Sequence, residues 1–415
     1  MKPEAVAHHH CRYWPLYAAG FVTAFGAHSI AANLGTYGQQ HHASLLAIGL
    51  LLAVYDCAEV VLKPVFGAIV DRVGARPVLI GGLIGFAAAS AAFVVANDPG
   101  LLGVARFGQG AAAAAFSPAA STLVARLTPT GGRGRRFGSY GAWKGLGYTL
   151  GPLLGGVFIT LGGYNALFAV LGGLAVVVAL WAVFIVPSVA PLPRRRSTVV
   201  DLVRRLTRRG FLLPTVVLAA STAALSIGVG FLPILAVSSG ANALASGALV
   251  SALSACAALS QPWVGRALDA NRLGYRVGIV TGLASCAAGF AFAALAAGPV
   301  GLIIGAIAVG SGAGVLTPLG FTALAASSQP ERLGETMGSA EVGRELGDAG
   351  GPLLVGALAT AATLSTVHAI SCMVLRRNAE ADASPARDAS QACRAEGAHR
   401  AFLGCGGVDQ GHAGP

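Results

Sequence analysis

Two strongly apolar stretches of this chain carry charges at helical spacing. Residues 45–69 contain Asp56, Glu59 and Lys63, and residues 338–360 contain Glu341, Arg344, Glu345 and Asp348. Intervals of three and four place each set on one face of a helix. Arg106 and Lys144 add cations within two further apolar stretches, 100–125 and 137–160. A charge at mid-membrane depth costs at least about 2.5–3.5 kcal/mol on insertion scales, so such groups face one another or an aqueous path rather than lipid. Carboxylates poised between burial and a neighbouring cation are suited to binding and releasing protons. Asp56 and Asp348 lie near the middle of their stretches, and Asp56 is the leading candidate for the proton step. The alternative is a permanently paired network that only ties helices together.

Such residues need a membrane-spanning frame, and the composition supplies one. Of 415 residues, 55% are hydrophobic and 11% charged, against about 25% charged in a soluble domain. Glycine is abundant, as it is in membrane helices. Crossing the hydrocarbon takes about 20 apolar residues. Eleven runs qualify: 15–34, 45–69, 77–97, 100–125, 137–160, 165–187, 211–237, 244–267, 275–296, 299–327 and 338–360. A twelfth, 364–375, is too short, since a dozen helical residues rise only about 18 Å. The twelfth helix is therefore expected to be truncated or altered, as a reading-frame change would leave it. This divides the chain into an N-terminal tail (1–14), a six-helix bundle (15–187), a basic linker (188–210), a second bundle of five full helices and a short segment (211–375), and a polar tail (376–415) expected to be disordered.

Charge placement gives orientation. The connections 35–44, 161–164, 238–243 and 297–298 contain no Lys or Arg. Those after the even-numbered runs are rich in Arg: Arg72 and Arg76, then Arg126, Arg133, Arg135 and Arg136, then the central Arg194–Arg209 segment, then Arg266, Arg272 and Arg276, and finally Arg332. The positive-inside rule places these connections and the N-terminus in the cytoplasm, and the protein in the cell (inner) membrane. The formal net charge of +11 thus reports topology rather than nucleic-acid binding. The central basic run reads as a segment on anionic lipid, with a specific protein partner as the alternative. The first apolar run lacks a cleavage pattern and is expected to be retained. No disulfide framework, zinc site or cofactor is expected from the seven cysteines.

The halves repeat. Ser117-Pro118, Gly138-Ser139 and Gly151-Pro152-Leu153-Leu154 recur as Thr317-Pro318, Gly338-Ser339 and Gly351-Pro352-Leu353-Leu354, each 200 positions later. Pro64, Gly67 and Asp71 recur as Pro262, Gly265 and Asp269, 198 positions later. Lys144 is thereby the counterpart of Arg344. Both halves start on the same side, so the repeat is parallel.

Three segments carry a resemblance. The stretch Gly67, Asp71, Arg72, Gly74, Arg76 resembles the loop signature between helices two and three of the major facilitator superfamily, and Gly265–Arg272 is a degenerate copy. The alternative is a positive-inside turn of no particular family. Arg106-Phe107-Gly108-Gln109-Gly110 resembles the superfamily's helix-four motif, whose arginine is tied to proton movement; alternatively it is a structural arginine bonded to carbonyls. Gly147, Gly151, Pro152, Gly155 and Gly156 resemble the helix-five signature of the drug:proton antiporter branch, or serve helix packing alone.

The resemblance implies an all-α major facilitator fold of two parallel six-helix repeats, with helices two and eleven in contact across the halves. It implies that Asp71 approaches the start of helix eleven, where a helix dipole favours an anion. It also implies a cavity lined by helices one, four, seven and ten, through His28, Asn33, Gln109, Phe116, Ser221, Thr222, Phe231 and Thr317. Those residues are mostly small or apolar, which suits a moderately hydrophobic solute. His28 could titrate or simply pack. The expected activity is proton-coupled antiport, exporting a small lipophilic solute or drug. Proton-coupled uptake of a metabolite is the second reading. A non-transporting sensor, scaffold or inactive carrier is the third. The sequence shows no Walker motif, nucleophilic triad or zincin motif, so no enzymatic activity is expected; His8-His9-His10-Cys11 is the one weak metal candidate.

Overall fold

A computed structural model describes residues 12–40, 45–96, 98–193, 204–295 and 298–358. The chain divides after Pro352 into two compact units, and of the second only the helical residues 353–358 are described. The features that follow belong to the first unit. The short run 364–375, both tails and the His8–Cys11 segment lie outside the described residues.

The described chain is helical and contains no strand. The helices are α1 (Trp14–Gln40), α2 (Leu45–Val73), α3 (Ala75–Val95) and α4 (Pro99–Leu127). A continuous stretch, Arg133–Ile185, is broken at Gly162 and Gly163 into α5 and α6. Gly163 has φ +72°, a conformation that glycine adopts without steric cost, so two helices join with no loop. Then come α7 (Arg209–Ser238), α8 (Ala243–Asp269), α9 (Tyr275–Leu295), α10 (Pro299–Ser327) and α11 (333–358). Six helical segments among the described residues are long and apolar enough to cross a membrane, the double segment Arg133–Ile185 counted once. The charged helices α2 and α11 are not among the six.

Each of the eleven helices covers one of the eleven apolar runs. Their ends differ from the runs where polar residues do the capping. Asp98 accepts the N–H groups of Gly100 and Leu101 at 2.9 and 3.0 Å and starts α4 ahead of its apolar run. Likewise α5 and α11 begin at 133 and 333, four and five residues before their apolar runs. The acids that hold those first turns come from other helices, which a local hydropathy window cannot detect. At the α2–α3 corner Gly74 takes φ +104°, as a tight turn requires.

Extensive packing joins α1 to the α5–α6 stretch, α3 to α4, α2 to α4, α9 to α10, α8 to α10, and α5 to α8. The main core fills the first half, where it holds Leu79, Leu83 and Phe86 of α3 with Leu167, Phe168 and Leu171 of α6, and runs on into the second through Phe321, Leu324 and Met337. Phe93 and Phe168 stack there at 4.8 Å between ring centroids. A smaller core in the second half joins Leu232, Leu249, Leu253 and Val309.

Candidate functional site

The arginine-rich connections lie at one end of the helices, here termed the basic end, and that end is closed by two matched contacts. The Asp71 carboxylate at the end of α2 accepts the N–H groups of Gly334 and Glu335, at 2.8 Å each. Asp269, at the end of α8, accepts those of Gly134 and Arg135, also at 2.8 Å each. Each acid thus meets the unpaired amides and positive dipole of a helix in the other half. Glycines permit the approach. A Cβ on Gly67 would collide with the Gly334 carbonyl, and one on Gly265 with the Gly134 carbonyl. Arg126 spans the same closure, donating to the Pro330 carbonyl at 3.0 Å and lying 4.0 Å from Asp71.

Farther along α2 and α11, the spaced charges meet. Lys63 is buried, with its ammonium 2.5 Å from Glu345, 3.3 Å from Glu59 and 3.9 Å from Glu341. Glu341 is fully buried, 2.9 Å from Arg344 and 3.8 Å from Lys144 of α5. Three acids and three cations from α2, α5 and α11 therefore form one network across both halves. Lys144 also reaches the Ser117 hydroxyl at 3.4 Å. Tyr148, one turn beyond Lys144, interacts electrostatically with Arg344 and lies against the His28 ring, 4.3 Å between centroids.

Asp56 and Asp348 stand outside this network. Both are exposed, and neither makes a direct ion pair among the described residues. They remain on its side of their helices: Asp56 is within electrostatic reach of Arg106, Lys63 and Glu345, and Asp348 of Arg344, Glu345, Asp56 and the Ser226 hydroxyl. Glycine contacts draw α2 and α11 together near Lys63 and Gly338, but not at the level of 56 and 348. Arg106, itself buried, donates to Gln109 at 2.6 Å and lies 4.3 Å over the Tyr55 ring. These contacts hold part of the guanidinium, while its Nε has no hydrogen-bond partner among the described residues.

Among the helix-five glycines, Gly147, Gly151 and Gly155 pack α5 on α1, and a Cβ at any of them would crowd Phe21–Ser29. Ser29 donates to the Gly151 carbonyl at 2.7 Å. Gly156 faces open space. The second half repeats the arrangement: Gly343, Gly347 and Gly351 pack on α7, and the Thr222 hydroxyl donates to the Arg344 carbonyl at 2.8 Å.

The other candidate lining residues are spread more widely. His28 is exposed and Phe231 half-buried. Asn33 donates to the Ser29 carbonyl at 2.8 Å. Gln109 is wholly buried beside Arg106, while Phe116 belongs to the first-half core against Gly82. Thr317 shares a 2.9 Å hydrogen bond with Ser221. Two participants, Tyr148 and Gln261, escaped sequence reasoning, and a third, Asp269, was read only in part. Tyr148 looked like an ordinary residue of a glycine-rich helix. Asp269 was legible as the repeat of Asp71, but its partner helix was not. Gln261 occupies the Lys63 position 198 residues later, a spacing that could have flagged it.

Comparison with known proteins agrees with this architecture. The Major Facilitator Superfamily profile matches residues 16–269 and again 215–375. A puromycin resistance protein of Streptomyces alboniger is 45% identical over 92 residues, 22% of this chain and 18% of the relative. A class G tetracycline resistance protein of Vibrio anguillarum is 41% identical over 120 residues, 28% of this chain and 29% of the relative. This chain thus spans less than a third of either relative's length. The crystal structure of the Escherichia coli fucose:proton symporter superposes with a TM-score of 0.70 at 16% identity, covering 85% of this chain and 92% of the symporter. The chain therefore belongs to the Major Facilitator Superfamily, as a multi-pass membrane protein resembling that superfamily's drug:proton antiporter branch.

Proposed function

We propose that this chain exports a small lipophilic solute across the inner membrane in exchange for protons, by alternating access. The observation that carries the reading is the buried network of Lys63, Glu59, Glu345, Glu341, Lys144 and Arg344, which ties the two halves together through groups able to take up protons. Asp56 and Asp348, exposed beside it, are the entry points for a proton. Arg106 holds charge balance near Asp56. The matches to puromycin and tetracycline resistance proteins and the helix-five glycine face both favour export.

Orientation follows from the arginines, which put the basic end and the N-terminus in the cytoplasm, with the central linker on anionic lipid. Closure by Asp71 and Asp269 then makes the described state outward-facing. Asp56 and Asp348 stand fifteen and fourteen residues from the closing contacts at Asp71 and Gly334, roughly 20 Å along a helix. His28, Asn33, Gln109, Thr222, Phe231 and Thr317 remain the proposed lining of the solute path, whereas Phe116 is taken up by the core against α3.

Inverted vesicles with an internal pH-sensitive dye test this. Addition of lipophilic test compounds should release protons with the unaltered chain and not with Asp56→Asn, while both variants reach the membrane in equal amounts. Solute-dependent proton release by Asp56→Asn would reject Asp56 as the coupling acid. Accumulation of solute in right-side-out vesicles under an inward proton gradient would establish uptake instead.

A further inference from the structure

The closing contacts at the basic end are nearly superposable by sequence repeat, yet the chemistry behind them differs. Behind the Asp71 contact, the α2–α11 seam holds Glu59, Lys63, Glu341 and Glu345. The positions 198 or 200 residues away in the α8–α5 seam are Ala257, Gln261, Gly141 and Gly145. The backbone contacts are retained. Gly338 lies against the Lys63 carbonyl, and Gly138 lies against the Gln261 carbonyl. Where Lys63 meets Glu341, the Gln261 amide fills the space that a Cβ at Gly141 would need, and Gly145 rests on Ala258. Lys144, deeper along α5 than Arg133, Arg135 and Arg136, turns to Glu341 at 3.8 Å.

We propose that the two seams divide the work of opening: the α2–α11 seam makes closure at the basic end depend on protons, and the α5–α8 seam is a clasp of constant strength. The inference rests on the proton-coupled reading above and names where in the molecule coupling acts. Once Lys144 of α5 is counted with the first seam, the charges of its network balance, three acids against three cations, so one added proton leaves an uncompensated positive charge among buried groups. Breaking a buried pair by removing one charge is strongly destabilising. The second seam holds only a neutral amide at the matching place, and a neutral amide does not titrate.

The titratable and charged groups that bear on Glu345 come from α1, α2, α5 and α11 itself. From α1 there is His28, and from α2 there are Tyr55, Asp56, Glu59 and Lys63. From α5 there are Lys144 and Tyr148, and from α11 itself Glu341, Arg344 and Asp348. Arg106 of α4 acts on Asp56 and His28. These outer groups shift the pH at which the seam responds. Among them Lys63 and Glu345 are the pair that bridges the halves most closely.

Spin labels on the full chain in lipid nanodiscs read this out. One label pair, Val73→Cys with Gln329→Cys, spans the first seam; another, Gly131→Cys with Ala270→Cys, spans the second. In the otherwise unaltered chain, the open fraction at both pairs should change about ten-fold per unit of difference in proton affinity between the two states. Replacing the charged pair with a neutral one, Lys63→Gln with Glu345→Gln, should leave both pairs unresponsive to pH. Gln261→Ala should shift the open fraction equally at all pH values and keep the response. A pH response that survives Lys63→Gln/Glu345→Gln, or that disappears in Gln261→Ala, would overturn the division of labour while leaving proton coupling intact. No pH response in the unaltered chain would remove the coupling reading itself. Should the double variant not fold, Glu345→Gln alone carries the same expectation against Asp269→Asn, which should retain its pH response.

Discussion

Lys63 is almost fully buried and touches three carboxylates. An ammonium in that position is tolerable only while its partners stay ionised. Lys63→Met should cost about 3–5 kcal/mol of stability, because it strands acids away from water. Thermal unfolding in detergent would show this as a lower melting temperature. Combining Lys63→Gln with Glu345→Gln should recover part of the loss, by at least about 1 kcal/mol of coupling; purely additive effects would mean the two residues do not act as a pair. These residues were legible because charges at spacings of three and four inside apolar runs are conspicuous. Spacing alone could not show that Asp56 and Asp348 stand apart while Lys144 joins. That depends on where α2, α5 and α11 touch, which glycines on partner helices decide.

At the scale of whole helices, the contrast between Gly155 and Gly156 is instructive. Adjacent in sequence, one lies against Ser29 of α1 and the other faces open space. Gly155→Val should separate α1 from α5 and cost about 1–3 kcal/mol, with loss of transport. Gly156→Val should retain both stability and transport. Equal loss in the two variants, measured by melting and vesicle flux, would contradict the one-sided packing described above. The apolar runs located each of α1 to α11, since length and hydropathy are properties of a single segment. They misplaced the starts of α5 and α11 because the capping carboxylates arrive from α8 and α2. A charge-assisted hydrogen bond contributes about 1.5–3 kcal/mol. Asp71→Asn and Asp269→Asn should therefore each weaken closure by a similar amount, seen as a raised open fraction with the same label pairs.

Across the whole molecule, the arginine pattern and the repeat jointly specify a parallel duplication with one basic end. A direct check uses single cysteines at exposed positions near opposite ends, Ala270 after α8 and Ser239 after α7. A membrane-impermeant thiol reagent should label Ala270→Cys only in inside-out vesicles and Ser239→Cys only in right-side-out ones. The reverse pattern would invert the topology and, with it, the outward-facing assignment. Fold and family were visible in the sequence because both rest on repeated, local motifs. The division between a charged and a neutral seam was not, since it emerges only when residues some 200 positions apart are laid against each other.

The two clasps have unequal mutational targets on their two sides. Their donors are main-chain amides at residues 134, 135, 334 and 335, and a side-chain replacement cannot delete a main-chain amide unless it introduces proline. Their acceptors are two aspartate side chains that a single codon change can alter. In any genetic selection for a carrier that has lost its preference for the closed basic end, hydrogen-bond lesions should therefore accumulate at Asp71 and Asp269, while the helix starts opposite them yield few such alleles.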